Sequence, residues 1–360
     1  MLSLTKPTIC GLLILLSGIL LWLSELKVGL FDANALSSTA ILITKESTKE
    51  STKESTDESA GFPMVLIDPT REEIILQKPP ERIISVTLGT DEILHELVDH
   101  RRIVAVTNLV DNPQLSNIPN VYPPHIKRIS SEVESILALE PDLVFIGEYT
   151  QADTVRLLLN AQVPVVRLAG GNTFSHIENN IKVVGKVTDT DFQATTLLNS
   201  LKHTKDTHQK LQSSHKQSPP RVLYYNLNGY SSGQNTTIDE IITLAGGHNV
   251  MRETGLTGIQ KISAEMAMGL EPDVILMRGW SMDSKLDPAQ TLKKLPAWQN
   301  VNAVKNNRVY GLKGAWVLSV SQYSWDGIQQ VSELLIKAHN PNKVPFINTR
   351  PIPKDHAHAP

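Results

Sequence analysis

The feature that most constrains the fold is a pattern that occurs twice in the chain. Residues 134–147 read ESILALEPDLVFIG, and residues 265–279 read EMAMGLEPDVILMRG. In each copy a glutamate, Glu134 or Glu265, stands seven residues before a Pro-Asp pair, and an apolar run follows. Proline cannot continue a helix, so each copy predicts a short helix that ends before a buried strand. Two copies of this unit predict two similar domains.

The sequence around each copy alternates apolar runs with amphipathic segments. The apolar runs include RIISVT, RIVAVT and DLVFIG in the first half, and RVLYYN, DVILMR and RVYGL in the second. Fully apolar strands that alternate with helices are typical of parallel sheets covered on both faces. The predicted fold class is therefore α/β, with two similar Rossmann-like lobes, each a mainly parallel sheet with flanking helices.

One long helix is predicted between the lobes. Residues 189–217 contain no Gly or Pro, and Pro219-Pro220 follow. A helix of about 25 residues would be about 37 Å long. We place the N-terminal lobe at 62–188 and the C-terminal lobe at 218–347, and we expect little movement between them. We also expect the histidines of this helix to be solvated.

The chain begins with a segment that is typical of exported proteins. Residues 1–35 contain a lysine, an apolar run and the Ala33-Asn34-Ala35 pattern, which predicts a signal peptide or an uncleaved membrane anchor. Residues 36–61 include a Ser/Thr/Lys/Glu repeat without apolar side chains, which predicts a flexible tether. Residues 348–360 are predicted to be a disordered tail. The expected location is periplasmic or otherwise extracytoplasmic.

Composition and motifs argue against several classes of function. The net charge of -3 gives no reason to expect a nucleic-acid partner. The only cysteine, Cys10, lies in the N-terminal apolar run, so no disulfide or cysteine metal site is expected. No Walker or H-E-x-x-H motif occurs. We predict that the chain is not an enzyme and has no intrinsic cofactor or metal site.

The candidate binding residues follow predicted strands, because ligands of open α/β sheets bind at the carboxyl ends of the strands. Aromatic residues make up only 5% of the chain, yet several stand at strand ends beside glycines. Such faces suit a large, flat, partly apolar ligand, although aromatic residues at these places also cap lobe cores. Arg278 is expected to pair with a carboxylate or phosphate of the ligand. The predicted ligand-binding residues are Thr90, Tyr149, Asn172, Tyr230, Arg278, Trp280 and Trp316.

The two repeated glutamates are predicted to be exposed. Each stands beside the apolar stripe of its short helix, at the edge of its lobe. A glutamate near a helix start is stabilised by the helix dipole, as are Asp91 and Glu92 in the first turn of an earlier predicted helix. Identical spacing in both lobes suggests a further role. Glu134 and Glu265 could dock on basic sites of a two-fold symmetric partner.

The chain resembles the helical-backbone, or class III, periplasmic solute-binding proteins of ABC importers, which bind cobalamin, ferric siderophores or haem. The resemblance rests on RIISVTLGTDEILHELV, the two repeated Pro-Asp units and the long interlobe helix, and covers roughly 81–338. It implies a monomer that captures a metal chelate between its lobes and delivers it to a permease dimer and its ATPase. It also implies that Glu134 and Glu265 pair with arginines of the permease, and that Trp316 contacts the ligand.

One departure from that family, and the lack of a ligand-specific signature, leave alternatives open. The usual lipoprotein cysteine is absent, so both an anchored and a diffusing form are compatible with the sequence. The ligand could be a corrinoid, a siderophore or haem, and haem would need an axial Tyr or His. Fold alone also leaves room for a corrinoid- or metal-complex-dependent enzyme, or for a sensor, that uses the same cleft.

Overall fold

A computed structural model gives the fold of this chain. The structure describes residues 41–43, 61–67, 73–213, 218–279, 287–318 and 320–339. The predicted signal segment 1–35, the repeat that starts at Thr44, the candidate Trp280 and the tail 348–360 lie outside the described residues.

The strands of the described residues are short and mostly buried. In chain order they are β1 (Ile41–Ile43), β2 (Met64–Ile67), β3 (Glu73–Leu76), β4 (Ile83–Ser85), β5 (Ile103–Thr107), β6 (Lys127–Ile129), β7 (Leu143–Gly147), β8 (Val165–Leu168), β9 (Arg221–Tyr224), β10 (Tyr230–Ser232), β11 (His248–Asn249), β12 (Ile259–Lys261), β13 (Val274–Arg278) and β14 (Val309–Leu312).

The helices of the described residues alternate with these strands. They are α1 (Leu88–Leu97), α2 (Val133–Leu137), α3 (Ala152–Asn160), α4 (Phe174–Val187), α5 (Asp191–Ser213), α6 (Thr237–Leu244), α7 (Ala264–Gly269), α8 (Pro288–Lys294), α9 (Asn302–Lys305), α10 (Gly314–Leu318) and α11 (Asp326–His339). Short 3-10 helices lie at His100–Arg102, Val250–Thr254, Pro296–Trp298 and Gln322–Trp325.

Two parallel sheets form the centres of the two lobes. The first lobe contains a five-stranded sheet in the order β6-β5-β4-β7-β8, and the second contains a four-stranded sheet in the order β11-β9-β13-β14. Every pair of neighbouring strands in these two sheets is parallel. We call the first sheet with α1–α4 the first lobe, and the second sheet with α6–α11 the second lobe. The predicted α/β fold class with two lobes is confirmed.

The repeated Pro-Asp pattern folds into the same hydrogen-bonded unit in both lobes. In the first lobe, Arg82 stands just before β4 and donates from Nη2 to the carbonyl of Leu139 at 2.6 Å and from Nε to that of Glu140 at 2.8 Å. Asp142 accepts the backbone N–H of Arg82 at 2.8 Å. The arginine thus satisfies carbonyls that the end of α2 leaves without helical partners.

The second lobe repeats this unit residue by residue. Arg221 donates from Nη2 to Leu270 O at 2.8 Å and from Nε to Glu271 O at 3.4 Å, and Asp273 accepts its backbone N–H at 3.1 Å. Glu140 and Glu271 both take the left-handed conformation, with φ of 47° each, so the chain reverses directly before the proline. The repeated pattern therefore joins a short helix to a central strand. The arginine that stabilises each junction comes from a part of the chain far from the pattern in sequence.

The long helix between the lobes is α5, which has 23 residues. It begins two residues later than predicted, because Asp189 takes a φ of 57° that ends the preceding helical path. α5 packs closely on α4: a Cβ placed on Gly185 would lie 2.4 Å from the Cβ of Ala194. Residues 214–217 of the predicted helix lie outside the described residues.

The expectation that the histidines of this helix are solvated is wrong for one of them. His208 is 1% exposed, whereas His203 is exposed and His215 lies outside the described residues. Leu201 and Thr204 are buried on the same stretch of α5. Burial lowers the pKa of His208, and its Nε2 has no hydrogen-bond partner among the described residues. The sequence did not predict this burial, because the neighbours of His208 in the sequence are mostly polar.

The two lobes share a hydrophobic core in addition to α5. Phe174 of the first lobe stacks on Trp325 of the second, with ring centroids 4.0 Å apart and planes 18° apart. Both side chains are fully buried in a cluster that contains residues from both lobes. The backbone N–H of Phe174 donates to Glu240 Oε2 of the second lobe at 2.6 Å. Direct packing therefore restrains the lobes.

A small antiparallel sheet lies at the start of the described chain. β1 pairs with β2, and β2 pairs with β3, whose Ile74 and Leu76 are buried with Met64 in the shared core. β1 lies inside the segment 36–61 that was predicted to be a flexible tether, so that prediction is wrong for Ile41–Ile43. The physical reason is local composition, since Ile-Leu-Ile is apolar and favours a strand.

Candidate functional site

A cavity of about 220 Å³ opens at the carboxyl ends of β4, β7 and β8. First-lobe residues form most of its wall, and Val320, on the segment that precedes α11, closes it from the second-lobe side. This is the edge of the sheet where α/β proteins bind ligands. Its lining includes Thr87, Gly89, Thr90, Ile93, Gly147, Glu148, Tyr149, Gly170, Asn180 and Val320.

Two glycines allow Val320 to approach the first lobe. A Cβ placed on Gly171 would lie 1.6 Å from Val320 Cγ1, and one placed on Gly89 would lie 2.7 Å from the carbonyl oxygen of Val320. Gly171 also has a φ of 67°, which disfavours residues with a side chain. The closure of the cavity therefore depends on glycine at position 171.

The polar groups of the cavity are few and mostly engaged. Glu148 accepts the backbone N–H of Gly170 at 2.8 Å. The Asn180 carboxamide bonds both the N–H and the carbonyl of Ala169 at 3.0 Å. The lining described by the structure includes one acidic side chain, Glu148, and no Lys, Arg or His. The cavity is thus largely apolar with a single carboxylate.

Two of the predicted ligand-binding residues line this cavity. Tyr149 is 77% exposed, and its ring lies beside Gly170, on which a placed Cβ would be 3.1 Å from Tyr149 Cε2. Thr90 also lines the cavity, but it is buried and its hydroxyl is 2.7 Å from that of Thr87. Thr90 contributes shape more than a free polar group.

The other predicted residues that the structure describes are not among those that line the cavity. Asn172 is exposed, and its carbonyl accepts a hydrogen bond from Thr237 of the second lobe at 3.2 Å. Tyr230 is 42% exposed, with Lys261 Nζ 5.9 Å from its ring centroid. Their roles in ligand binding stay predictions.

Arg278 and Trp316 lie on adjacent segments at the end of the second sheet. Arg278 is the last residue of β13 and is half-buried beside Gly314, the first residue of α10. Trp316 in α10 is half-buried, with Lys313 Nζ 5.0 Å from its ring centroid. Asn117 of the first lobe donates to the carbonyl of Ala315 at 3.2 Å, so α10 also meets the first lobe.

A buried acidic group supports the first lobe behind the cavity. Asp91, predicted to be a residue of the helix start, is fully buried, and its Oδ2 accepts from Thr107 Oγ1 at 2.6 Å and from Thr107 N at 3.1 Å. Its Oδ1 has no partner among the described residues. Burial raises the pKa of Asp91 to about 8.

The neighbouring Glu92 ties the two lobes together. Its Oε1 accepts from the backbone N–H of Asn117 at 2.7 Å, and Ser321 donates its hydroxyl to Oε2. Gln322 Nε2 donates to the backbone carbonyl of Glu92 at 2.7 Å, and the Tyr323 hydroxyl donates to Glu96 at 2.9 Å. The segment that carries Val320 is therefore anchored on α1. No sequence pattern predicted this contact, since its partners lie more than 200 residues apart.

The repeated glutamates occupy corresponding places. Glu134 lies in α2 and Glu265 in α7, each in the first turn and each exposed. The N–H of its own helix start and the Ser263 hydroxyl lower the pKa of Glu265. Both placements are those expected of docking residues, and the docking role stays a prediction.

The described ranges contain no group of three or more His, Cys, Asp or Glu side chains that could hold a metal ion. Within the same ranges, no helix combines the length and the apolar character needed to cross a membrane.

Two parallel α/β lobes joined by one long helix, with a cavity at the strand ends where the lobes meet, define a two-lobed binding protein. The chain belongs to the Periplasmic binding protein family, whose profile matches residues 83–315. It is 24% identical over 285 residues to an uncharacterized ABC transporter substrate-binding lipoprotein, YvrC, of Bacillus subtilis, covering 76% of this chain and 85% of that protein.

Two further proteins show the same likeness. The chain is 25% identical to a cobalamin-binding protein of Halobacterium salinarum, over 70% of each chain. Its fold matches the periplasmic heme-binding protein RhuT of Roseiflexus sp. RS-1 in apo form, with a TM-score of 0.60 and 24% identity, covering 72% of this chain and 98% of that one. The predicted family is confirmed.

Proposed function

We propose that this chain is an extracytoplasmic receptor that captures a metal chelate between its lobes and delivers it to the permease of an ABC importer. The observation that carries the proposal is the cavity at the strand ends of the first lobe, closed by Val320. Membership of the Periplasmic binding protein family and the ABC transporter relative support it. In this role the chain binds and releases, while ATP hydrolysis belongs to partner subunits.

The charge of the cavity favours one class of chelate. The described lining has the Glu148 carboxylate and no cation. The carboxylates of haem or the oxygens of a ferric catecholate would need positive partners there, because buried charges require compensation. A corrinoid has amide groups at its edge, which can donate hydrogen bonds to Glu148. We therefore propose cobalamin as the ligand class, which accords with the cobalamin-binding relative.

The size of the cavity supports a proposal for how such a ligand would sit. Sites that bury a drug-sized ligand enclose roughly 300–1,000 Å³, and this cavity has about 220 Å³. A corrinoid would place one edge in the cavity and leave the rest towards the exposed rim, where Tyr149 offers an aromatic face. Arg278 and Trp316 at the end of the second sheet are proposed to border the exposed part.

The test is a binding assay on the purified full chain. Cyanocobalamin, haemin, a ferric catecholate and a ferric hydroxamate are added separately, and tryptophan quenching is read together with visible absorbance. Cyanocobalamin should bind most tightly, and Glu148→Arg should weaken it while favouring the ferric catecholate. Tighter binding of haemin or of the catecholate to the unaltered chain would overturn the choice of ligand.

Delivery is tested by uptake in cells. The double substitution Glu134→Ala with Glu265→Ala should abolish uptake of the bound chelate, because both carboxylates are proposed to meet the permease. Neither side chain lines the cavity, so affinity in solution should stay nearly constant. A large loss of affinity in the double variant would show that the two glutamates have been wrongly assigned.

A further inference from the structure

Two cations stand side by side at the carboxyl edge of the second sheet. β13 and β14 are parallel neighbours, and Arg278, the last residue of β13, is paired with Leu312 in the register of the two strands. Lys313 follows Leu312 directly and is exposed. Neighbouring strands lie about 4.8 Å apart, so the two cations arise from adjacent backbone positions. We call Arg278 and Lys313 the basic pair.

The basic pair lies at the seam between the lobes. A Cβ placed on Gly314 would lie 3.8 Å from Arg278 Cγ and 3.0 Å from the carbonyl oxygen of Gln114 in the first lobe. α10 starts at Gly314, and its five residues span about 7.5 Å. Val320, which closes the cavity, stands two residues after α10. The basic pair and the cavity therefore lie at the two ends of one short helix, within reach of one large ligand.

The two walls of the seam differ in charge. On the first lobe, the described lining of the cavity has the Glu148 carboxylate and no Lys, Arg or His. On the second lobe, the basic pair supplies two positive charges. Complementary charge fixes the orientation of a bound partner more than it raises affinity. A ligand with amide donors at one end and an anion at the other would match both walls in a single orientation.

The chemistry around the basic pair favours a phosphate next to an aromatic ring. A guanidinium has five N–H donors and binds two phosphate oxygens at once, while a lysine ammonium adds a point charge. Trp316 is half-buried, with its ring centroid 5.0 Å from Lys313 Nζ, so an aromatic face adjoins the charge. Aromatic faces stack on heteroaromatic bases. An anion joined to a base is the pattern of a nucleotide.

We propose that the basic pair binds the phosphodiester in the nucleotide loop of a corrinoid, so that the site selects complete corrinoids over precursors that lack this loop. This inference rests on the proposed function, since it takes a corrinoid as the ligand. It deepens that function by naming the ligand class and its orientation. The amide edge meets Glu148 on the first lobe, and the nucleotide loop meets the second lobe.

The first test compares two corrinoids. The affinities of cyanocobalamin and dicyanocobinamide for the purified full chain are measured by isothermal titration calorimetry. Dicyanocobinamide keeps the corrin ring and its amides but lacks the phosphodiester and the base. Cyanocobalamin should bind about tenfold or more tightly than dicyanocobinamide, because charge-assisted hydrogen bonds are lost with the phosphodiester. Equal or tighter binding of dicyanocobinamide would overturn the proposal.

The second test removes the cations one at a time. Arg278→Gln and Lys313→Gln should each weaken cyanocobalamin about fivefold or more, and each should change dicyanocobinamide less than about twofold. Lys305→Gln is the matched control, because it removes an exposed cation from α9, which precedes β14 and so lies at the other edge of the second sheet. It should leave both affinities unchanged.

Unaltered binding of dicyanocobinamide also shows that each variant is folded. If Arg278→Gln and Lys313→Gln weakened both corrinoids equally, the basic pair would contact the corrin ring or support the fold, and the proposal would be refuted. If neither variant weakened cyanocobalamin, the phosphodiester would lie elsewhere, which would refute it as well.

The outcomes separate this inference from the proposed function. Equal affinities of the two corrinoids would refute the selection for the nucleotide loop but would leave a corrinoid receptor standing. Haemin is included because its two carboxylates are also anions that suit the basic pair. Tighter binding of haemin than of cyanocobalamin, with a selective loss of haemin in Arg278→Gln, would overturn the ligand class and this inference together.

Discussion

The buried carboxyl of Asp91 should make the stability of this protein fall as pH rises. In the folded state its pKa is about 8, because burial disfavours the charged form, while its ordinary value is 3.8. The folded protein therefore holds a proton that the unfolded chain releases above pH 4 or so. The stability that this proton supplies is fully present below the unfolded pKa and is lost as pH rises through the folded one.

The magnitude follows from the size of the shift. One pKa unit corresponds to about 1.4 kcal/mol, so the full effect is of the order of 6 kcal/mol above pH 8. Between about pH 5 and pH 7 the free energy of unfolding should fall by about 1.4 kcal/mol per pH unit from this group. Whole domains are stable by about 5–15 kcal/mol, so the effect is measurable.

The assay compares slopes in three forms of the full chain. Urea unfolding is followed by tryptophan fluorescence at pH 5, 6, 7 and 8 for the unaltered chain, Asp91→Asn and Asp153→Asn. The carboxamide of Asp91→Asn keeps an acceptor for Thr107 but cannot ionise, so its stability should lack this slope. The buried amide donors of this variant would have no partners, which should lower its free energy of unfolding by about 1–3 kcal/mol. This loss is the same at every pH, so it does not add a pH dependence of its own.

Asp153 supplies the matched control, because it is an exposed aspartate that pairs with Arg156 on the surface. Asp153→Asn should keep the slope of the unaltered chain. If Asp91→Asn also kept that slope, Asp91 would not hold a proton in the folded state. The argument from its burial and its unpartnered Oδ1 would then be refuted.

Two further predictions concern α5 and the closure of the cavity. Burial lowers the pKa of His208, so protonation of this side chain below about pH 6.5 destabilises the folded state. His208→Gln should therefore lessen the loss of stability at low pH, whereas His203→Gln, at an exposed position, should leave that loss unchanged. Urea unfolding at pH 5 and pH 7 measures both variants. Gly171→Ala should lower the free energy of unfolding by about 1–3 kcal/mol, because the new Cβ would clash with Val320. Adding Val320→Ala should restore part of the lost stability, as measured by thermal unfolding. If the double variant were no more stable than Gly171→Ala, the clash would be contradicted.

The architecture was predictable from the sequence because its signals are local. Apolar runs of strand length alternate with helical patterns, and the long segment without Gly or Pro identified the interlobe helix. The repeated Pro-Asp pattern predicted the duplication correctly. Its arginines, Arg82 and Arg221, were not recognised, since each stands at the start of a strand far from the pattern that it stabilises.

The candidate site was predictable only in part. The rule that ligands bind at strand ends led to Thr90 and Tyr149, which line the cavity. It could not predict Val320 or the Ser321 contact with Glu92, because these depend on how a late loop packs on the first lobe. The burial of Asp91 could not be predicted either. An acidic residue at a helix start is usually exposed to water, and the helix dipole is enough to explain why it stands there.

The continuous core between the lobes has a consequence for how the molecule comes apart. Neither lobe can unfold by itself without exposing the stacked rings of Phe174 and Trp325 to water. The described body should therefore melt as one cooperative unit, with a single calorimetric peak. Separately expressed halves would each present an unmatched apolar face and aggregate, so this duplicated architecture is indivisible.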